Sequence, residues 1–156
     1  MSLQRFCKRP LVTIAPEKTI LEACQLLKEH NVGCLLVEEH GELCGMLTDR
    51  DIALRVTGQG RDPQLTLVGA VMTANPVRIL VGSTLHELTM VMHRQHVRRV
   101  PIIDESRRPV GIVTLDDLLV LLGDEMSDLA KMVSEEFFRK PAEVEADEYQ
   151  WWASYT

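Results

Sequence analysis

Two stretches of the chain place a threonine and an aspartate three residues apart, after a glycine and two apolar residues. The first is Gly45-Met46-Leu47-Thr48-Asp49-Arg50-Asp51, and the second is Gly111-Ile112-Val113-Thr114-Leu115-Asp116-Asp117. A carboxylate where a strand turns into a helix is suited to hold a vicinal diol, as an acidic residue does for ribose in dinucleotide sites. The same spacing also caps a helix start. Each motif taken singly fits both interpretations.

The longer form of the cap occurs elsewhere in the chain, in Thr19-Ile20-Leu21-Glu22 and in Thr84-Leu85-His86-Glu87. These two are expected to be true capping boxes, in which the glutamate reaches back to the threonine backbone. Aspartate is shorter and is expected to reach back less easily. Asp51 and Asp117 are therefore predicted to stay free and to hold ribose hydroxyls.

Open N–H groups at the same helix starts favour a polar or anionic ligand, whereas an aspartate repels phosphate. A phosphate is therefore expected away from the aspartates, beside Arg98-Arg99 and with Arg50 behind them. The first copy has Gly33-Cys34 at the equivalent place. The two sites are thus expected to differ in how well they hold a phosphorylated end.

The elements that must position these residues occur twice. The glycines of the two motifs are 111 − 45 = 66 residues apart. Apolar periodicity, caps and turns predict the order β-α-β-β-α in each copy. The predicted strands are 12–14, 34–37, 43–47, 76–80, 100–103 and 110–113. The predicted helices start at Ile20, Asp49, Leu85 and Leu115, the last ending at Gly123. Each copy alone is too small to bury much core, so an α+β fold of two packed repeats, 8–58 and 72–123, is predicted.

The remaining segment, 124–156, has a different composition. Nine acidic and three basic residues give it 3 − 9 = −6, which equals the formal charge of the whole chain. Helical spacing of apolar residues predicts an amphipathic helix over 124–139. Four aromatic residues follow: Tyr149, Trp151, Trp152 and Tyr155. They are interpreted either as a docking peptide or as a tail that packs on the chain's own dimer or is partly disordered.

Composition excludes several classes of function. The net charge of −6 argues against nucleic-acid binding. No apolar run is long enough for a secretory signal or a membrane span, so a cytoplasmic location is expected. The four cysteines lack a Cys-x-x-Cys spacing, and His93 with His96 is read as a polar helix face, so no metal site is predicted. No nucleophile with a base or Gly-rich phosphate loop is visible, so the chain is not expected to be an enzyme.

The repeated units resemble a pair of cystathionine-β-synthase-type (CBS) domains, also called a Bateman module. The resemblance covers roughly Val12 to Leu122 and includes Met72-Thr73-Ala74-Asn75-Pro76 and the Arg98 to Pro101 segment. It implies two repeats that pack through their sheets with pseudo-two-fold symmetry. It also implies two clefts that bind AMP, ADP, ATP, NAD or S-adenosylmethionine as regulatory ligands, with no cofactor required.

The resemblance also implies which residues contact the ligand. The polar ones are Thr48, Arg50, Asp51, Arg98, Arg99, Thr114 and Asp117, and the expected contacts on strands are Thr13, Ile14, Val77, Ile79 and Pro101. Glu38 and Glu39 depart from the family's usual ending of this strand, which makes the first cleft the less certain one.

The function expected from this resemblance is a non-catalytic sensor that forms homodimers and acts on an effector protein that the sequence does not identify. Two other hypotheses stay open. The chain could instead be a ligand-independent dimerisation and interaction module that works through its tail. A redox switch would rest only on Cys7, Cys24, Cys34 and Cys44.

Overall fold

The computed structural model describes residues 3–8 and 11–137. It confirms two consecutive β-α-β-β-α units and an α+β fold. The first unit contains β1 (Thr13–Ile14), α1 (Ile20–Glu29), β2 (Cys34–Glu39), β3 (Glu42–Thr48) and α2 (Asp49–Arg55). A connecting segment contains the short strand β4 (Thr73–Ala74). The second unit contains β5 (Ile79–Leu80), α3 (Leu85–Gln95), β6 (Arg99–Ile103), β7 (Pro109–Thr114) and α4 (Leu115–Phe137).

The two sheets have the same internal plan. The first has the order β1-β2-β3-β4 and the second β5-β6-β7. In each, the first strand is parallel to the second, and the second forms an antiparallel hairpin with the third. Both hairpins have a register shift at the equivalent point, between Val37 and Glu38 and between Ile102 and Ile103. The duplication therefore extends to the backbone irregularities.

The two glutamate-type capping boxes are confirmed. Glu22 accepts from the Thr19 backbone N–H at 2.8 Å, and Glu87 accepts from that of Thr84 at 2.7 Å. The Thr19 backbone N–H, followed by Lys18, lowers the pKa of Glu22 to about 2. Each box fixes the first turn of the helix that covers its sheet.

Strand β2 is buried on both faces. Leu35 and Val37 point into the core of the first repeat, together with α1, α2 and the segment before β4. Leu36, on the opposite face, packs with Leu43 and with Ile103 of the second repeat. Successive strand residues point to opposite faces, so β2 joins the two repeats while also supporting its own helices.

Each repeat contacts a short segment that leads, along the chain, into the other repeat. β4 leads into the second repeat but pairs with β3 of the first, where a Cβ at Gly45 would overlap the Met72 side chain. A 3₁₀ helix, Leu3–Lys8, leads into the first repeat but lies on β7, where a Cβ at Gly111 would be 3.1 Å from the Phe6 carbonyl oxygen. Both motif glycines are therefore places of close approach.

The prediction that Gly123 ends a helix is wrong. α4 runs without interruption from Leu115 to Phe137, so the two helices predicted on either side of Gly123 are one. Glycine costs a helix interior about 1 kcal/mol relative to alanine, which the strong helix formers around it outweigh. Contacts divide the chain into two compact units, Met1–Leu115 and Asp116–Thr156. The predicted aromatic tail lies outside the described residues.

None of the helices in the described part combines the length and the apolar character that crossing a bilayer requires.

We predict that Gly111→Ala lowers the free energy of unfolding by about 1–3 kcal/mol, because the added methyl group crowds a backbone oxygen that cannot rotate away. Urea denaturation measures the change. Gly82→Ala is the matched control, since a Cβ at Gly82 has no neighbour within 4 Å. The control is expected to stay within about 0.5 kcal/mol. Equal stability of the two variants would contradict the close-approach explanation.

Candidate functional site

The first motif forms a complete capping box, so the prediction that Asp51 stays free is wrong. Asp51 Oδ2 accepts from the Thr48 backbone N–H at 3.0 Å and from the Thr48 hydroxyl at 2.7 Å. The Thr48 hydroxyl in turn accepts from the Asp51 backbone N–H at 3.1 Å. Aspartate therefore reaches back as well as glutamate does in the other two boxes.

The second carboxylate oxygen of Asp51 faces a cation. Arg55 Nη2 lies 3.2 Å from Asp51 Oδ1, and the Asp51 side chain is only 15% exposed. The same guanidinium donates through Nη1 to the Val71 carbonyl at 2.6 Å. Arg55 thus connects the motif carboxylate to the segment that runs into β4.

The expected open N–H groups are also absent from the start of α2. The Asp49 N–H donates to the Gly33 carbonyl at 3.3 Å, and the Arg50 N–H donates to Asp49 Oδ1 at 2.8 Å. The Asp51 N–H is taken by Thr48, as described above. An anion at this place would therefore have to be held by side-chain cations.

Arg99 provides such a cation from the other repeat. A Cβ placed on Gly33 would lie 3.7 Å from Arg99 Nη2 and 3.4 Å from Asp49 Oδ2. The sequence left open which motif this arginine faces, and the structure places it beside the first. We call the group of Gly33, Cys34, Thr48, Asp49, Asp51 and Arg99 the α2 cluster.

Cys34 lies within the α2 cluster, on the strand position paired with Thr48. Burial raises the pKa of its thiol to about 12, and the Arg99 charge opposes that rise while Asp51 and Asp49 add to it. Cys34 is therefore a neutral thiol at neutral pH. This protonation argues against Cys34 as a reactive redox residue.

The α2 cluster brings together two kinds of group that the sequence predicted separately. It offers carboxylates for hydroxyl groups and a guanidinium for an anion, contributed by different repeats. Gly33 and Asp49 were not predicted as site residues. Two features of the sequence could have identified them. Gly33 occupies the position equivalent to Arg98 of the second copy, and Asp49 is an acidic residue directly before Arg50.

The second motif contacts the start of β6 in the same way as the first motif contacts the start of β2. The Leu115 N–H donates to the Arg98 carbonyl at 2.8 Å, as Asp49 does to Gly33, and Thr114 pairs with Arg99 in the sheet. Asp117 lies in the first turn of α4. Its predicted ligand role stays a prediction.

The residues predicted on strands do not gather at the α2 cluster in the contacts described. Thr13 and Ile14 line a separate cavity of about 380 Å³ with Ala15 and Lys18, and α1 closes its other side with Glu22, Gln25, Leu26 and Glu29. Ile79 and Pro101 are buried in the second repeat, and Val77 is half-buried. Their role in framing a base stays a prediction.

The described residues contain no group of three or more histidine, cysteine, aspartate or glutamate side chains that could hold a metal ion. His93 and His96 lie edge to face, with ring centroids 6.5 Å apart.

Tandem β-α-β-β-α units with these motifs define a CBS domain pair. The CBS domain family matches residues 3–58 and 68–124, and the chain belongs to this family. It is 48% identical over 110 residues to the CBS domain-containing protein YhcV of Bacillus subtilis, covering 70% of this chain and 77% of that protein. It is 35% identical over 106 residues to hypoxic response protein 1 of Mycobacterium tuberculosis, covering 67% of this chain and 73% of that protein.

A solved structure is similar over most of the chain. It is the CBS domain pair of protein MJ0100 in complex with 5′-methylthioadenosine and S-adenosyl-L-methionine, with a TM-score of 0.71 and 28% sequence identity. The match covers 80% of this chain and 98% of that one. The likeness confirms that the fold is that of a CBS pair.

We predict that Cys34 resists alkylation in the folded chain. A pKa of about 12 reduces the thiolate fraction at pH 8 by on the order of 10³ relative to a free thiol. Iodoacetamide labelling followed by peptide mass spectrometry measures the rate. Labelling of Cys34 is expected to be at least about 100-fold slower in the native chain than in urea. Equal rates in the two conditions would contradict the burial of this thiol.

Proposed function

We propose that this CBS pair is a non-catalytic regulatory module that binds an adenosine-containing ligand at the α2 cluster. The ligand class comprises AMP, ADP, ATP, NAD and S-adenosylmethionine. The observation that carries the proposal is the position of Arg99, a second-repeat cation that lies beside the first-repeat motif of Thr48 and Asp51. Thr48 and Asp51 suit the ribose diol that these ligands share, and Arg99 suits the phosphate that AMP, ADP, ATP and NAD carry.

The closed capping box determines how a ribose would bind. Asp51 Oδ2 already accepts two hydrogen bonds within the box, whereas Oδ1 faces only Arg55 among the contacts described. A carboxylate oxygen accepts more than one hydrogen bond. We therefore assign ribose recognition to Asp51 Oδ1 and phosphate recognition to Arg99.

The same geometry suggests how occupancy is reported. A hydroxyl group on Asp51 Oδ1 competes with Arg55, whose other nitrogen holds the Val71 carbonyl. Binding would therefore loosen or reorient Arg55 and alter the segment before β4. In this proposal the module is a cytoplasmic homodimer that transmits the change to an effector protein, as the family resemblance implies.

Two relationships support this function. The similar structure of protein MJ0100 contains 5′-methylthioadenosine and S-adenosyl-L-methionine, both of which carry an adenosine group. In addition, the two relatives described above are named as a CBS domain-containing protein and a hypoxic response protein. The proposed ligand class for this chain rests on the ligands in that similar structure and on the chemistry of the α2 cluster.

We predict that Asp51→Ala weakens the binding of every adenosyl ligand by about 10–100-fold, since hydrogen bonds to a charged group contribute about 1.5–3 kcal/mol. Isothermal titration calorimetry with AMP, ATP, NAD and S-adenosylmethionine measures the affinities. Arg99→Ala is expected to weaken AMP and ATP more than S-adenosylmethionine, because the latter carries no phosphate.

Glu87→Ala is the matched control for this titration. It removes a capping box of the same kind in α3 and costs a similar amount of helix stability, about 1 kcal/mol. Its ligand affinity is expected to equal that of the wild-type chain. No binding of any of the four ligands would overturn the proposal and favour the ligand-independent interaction module. Equal affinities of Asp51→Ala and Glu87→Ala for these ligands would show that Asp51 does not contribute to the site.

A further inference from the structure

Helix α4 carries a row of large apolar side chains that face solvent. Five of them, which we call the α4 seam, are each between 53% and 68% exposed: Leu119, Leu122, Met126, Leu129 and Val133. Large exposed apolar patches are uncommon on monomeric proteins and mark interaction surfaces. The described residues place nothing over this row.

The spacing of the α4 seam specifies the geometry of its partner. Its members follow one another at intervals of three, four, three and four residues. This is the a and d pattern of a heptad repeat, in which knobs of one helix fit holes of another helix with the same period. The seam is therefore suited to another helix rather than to a sheet or a flat surface.

The positions beside the seam favour an identical helix. Gly123 and Ala130, at the e positions, are small and uncharged, so a second helix can approach closely. Asp124 and Asp128 lie away from the seam, so their charges would point outward from a pair. Glu125, at a g position, is the charged residue that borders the seam between Leu119 and Val133.

Glu125 also selects the relative direction of the two helices. In a parallel pair, a g residue faces the e residue of the next heptad on the partner, which sets Glu125 opposite Ala130 of the second copy. An antiparallel pair that matches Leu119 with Leu129 and Leu122 with Met126 would bring the two Glu125 side chains together at its centre. Like charges so placed repel.

We propose that α4 forms a parallel two-helix pair with α4 of a second copy of this chain, through the α4 seam. The seam is about 21 Å long at 1.5 Å per residue, which is short for a coiled coil. The pairing is therefore concentration-dependent and weak on its own. This inference deepens the homodimer part of the proposed function and names the surface involved.

Sedimentation equilibrium of the full chain, at a series of concentrations, tests the proposal. Leu129→Asp is expected to raise the dimer dissociation constant at least tenfold, because it buries a carboxylate in the seam. Ser127→Asp, on the polar side of the same helix, is the matched control and is expected to leave the constant unchanged. Far-UV circular dichroism checks that both variants keep their helix.

A mixture of wild-type and Glu125→Arg chains tests the direction. In a parallel pair Glu125 faces an alanine, so native mass spectrometry is expected to find a statistical mixture of dimers. Preferential heterodimers would overturn the parallel arrangement. A wild-type chain that stays monomeric, or equal dissociation constants for Leu129→Asp and Ser127→Asp, would overturn the seam itself. Neither result bears on the ligand titration, so failure of the two proposals is distinguishable.

Discussion

The hydrogen bonds between Thr48 and Asp51 hold the junction of β3 and α2, on which the candidate site depends. They use one oxygen of the carboxylate and leave the other facing Arg55, whose second nitrogen holds the Val71 carbonyl. The cap and the proposed ligand contact are therefore two uses of a single side chain. Because the cap already orders the Asp51 side chain, the proposed ligand contact would require little rearrangement of this residue.

Much of the fold follows from local sequence signals. The element order and the two glutamate capping boxes depend on neighbours in the chain, so periodicity and spacing predict them. The prediction that Gly123 ends a helix was wrong because the helix propensity of one residue is a weak prior, which the surrounding residues override. The prediction that aspartate is too short to complete a capping box was also wrong, because the Asp51 carboxylate reaches the Thr48 backbone N–H.

The candidate site was less predictable because its members meet across the duplication. Nothing near Arg99 in sequence says that its side chain reaches Gly33, some sixty-six residues earlier. The crossing of β4 onto β3, and of the 3₁₀ helix onto β7, is likewise a long-range arrangement that no local pattern encodes. Thr48 and Asp51 could be found from the sequence, whereas the identity of their cation required the packing of the two repeats.

The 3₁₀ helix and β4 each lead into one repeat but pack on the other, and this arrangement affects the order in which the chain folds. The 3₁₀ helix Leu3–Lys8 is made before β7, and its contact surface on that strand is about a hundred residues away in the chain. Contacts of such large sequence separation form slowly, because a long loop must close first. Leu3 and Phe6, buried in the finished protein, stay uncovered during synthesis until the second repeat has emerged. This interval is when the chain is most exposed to aggregation and to chaperone binding.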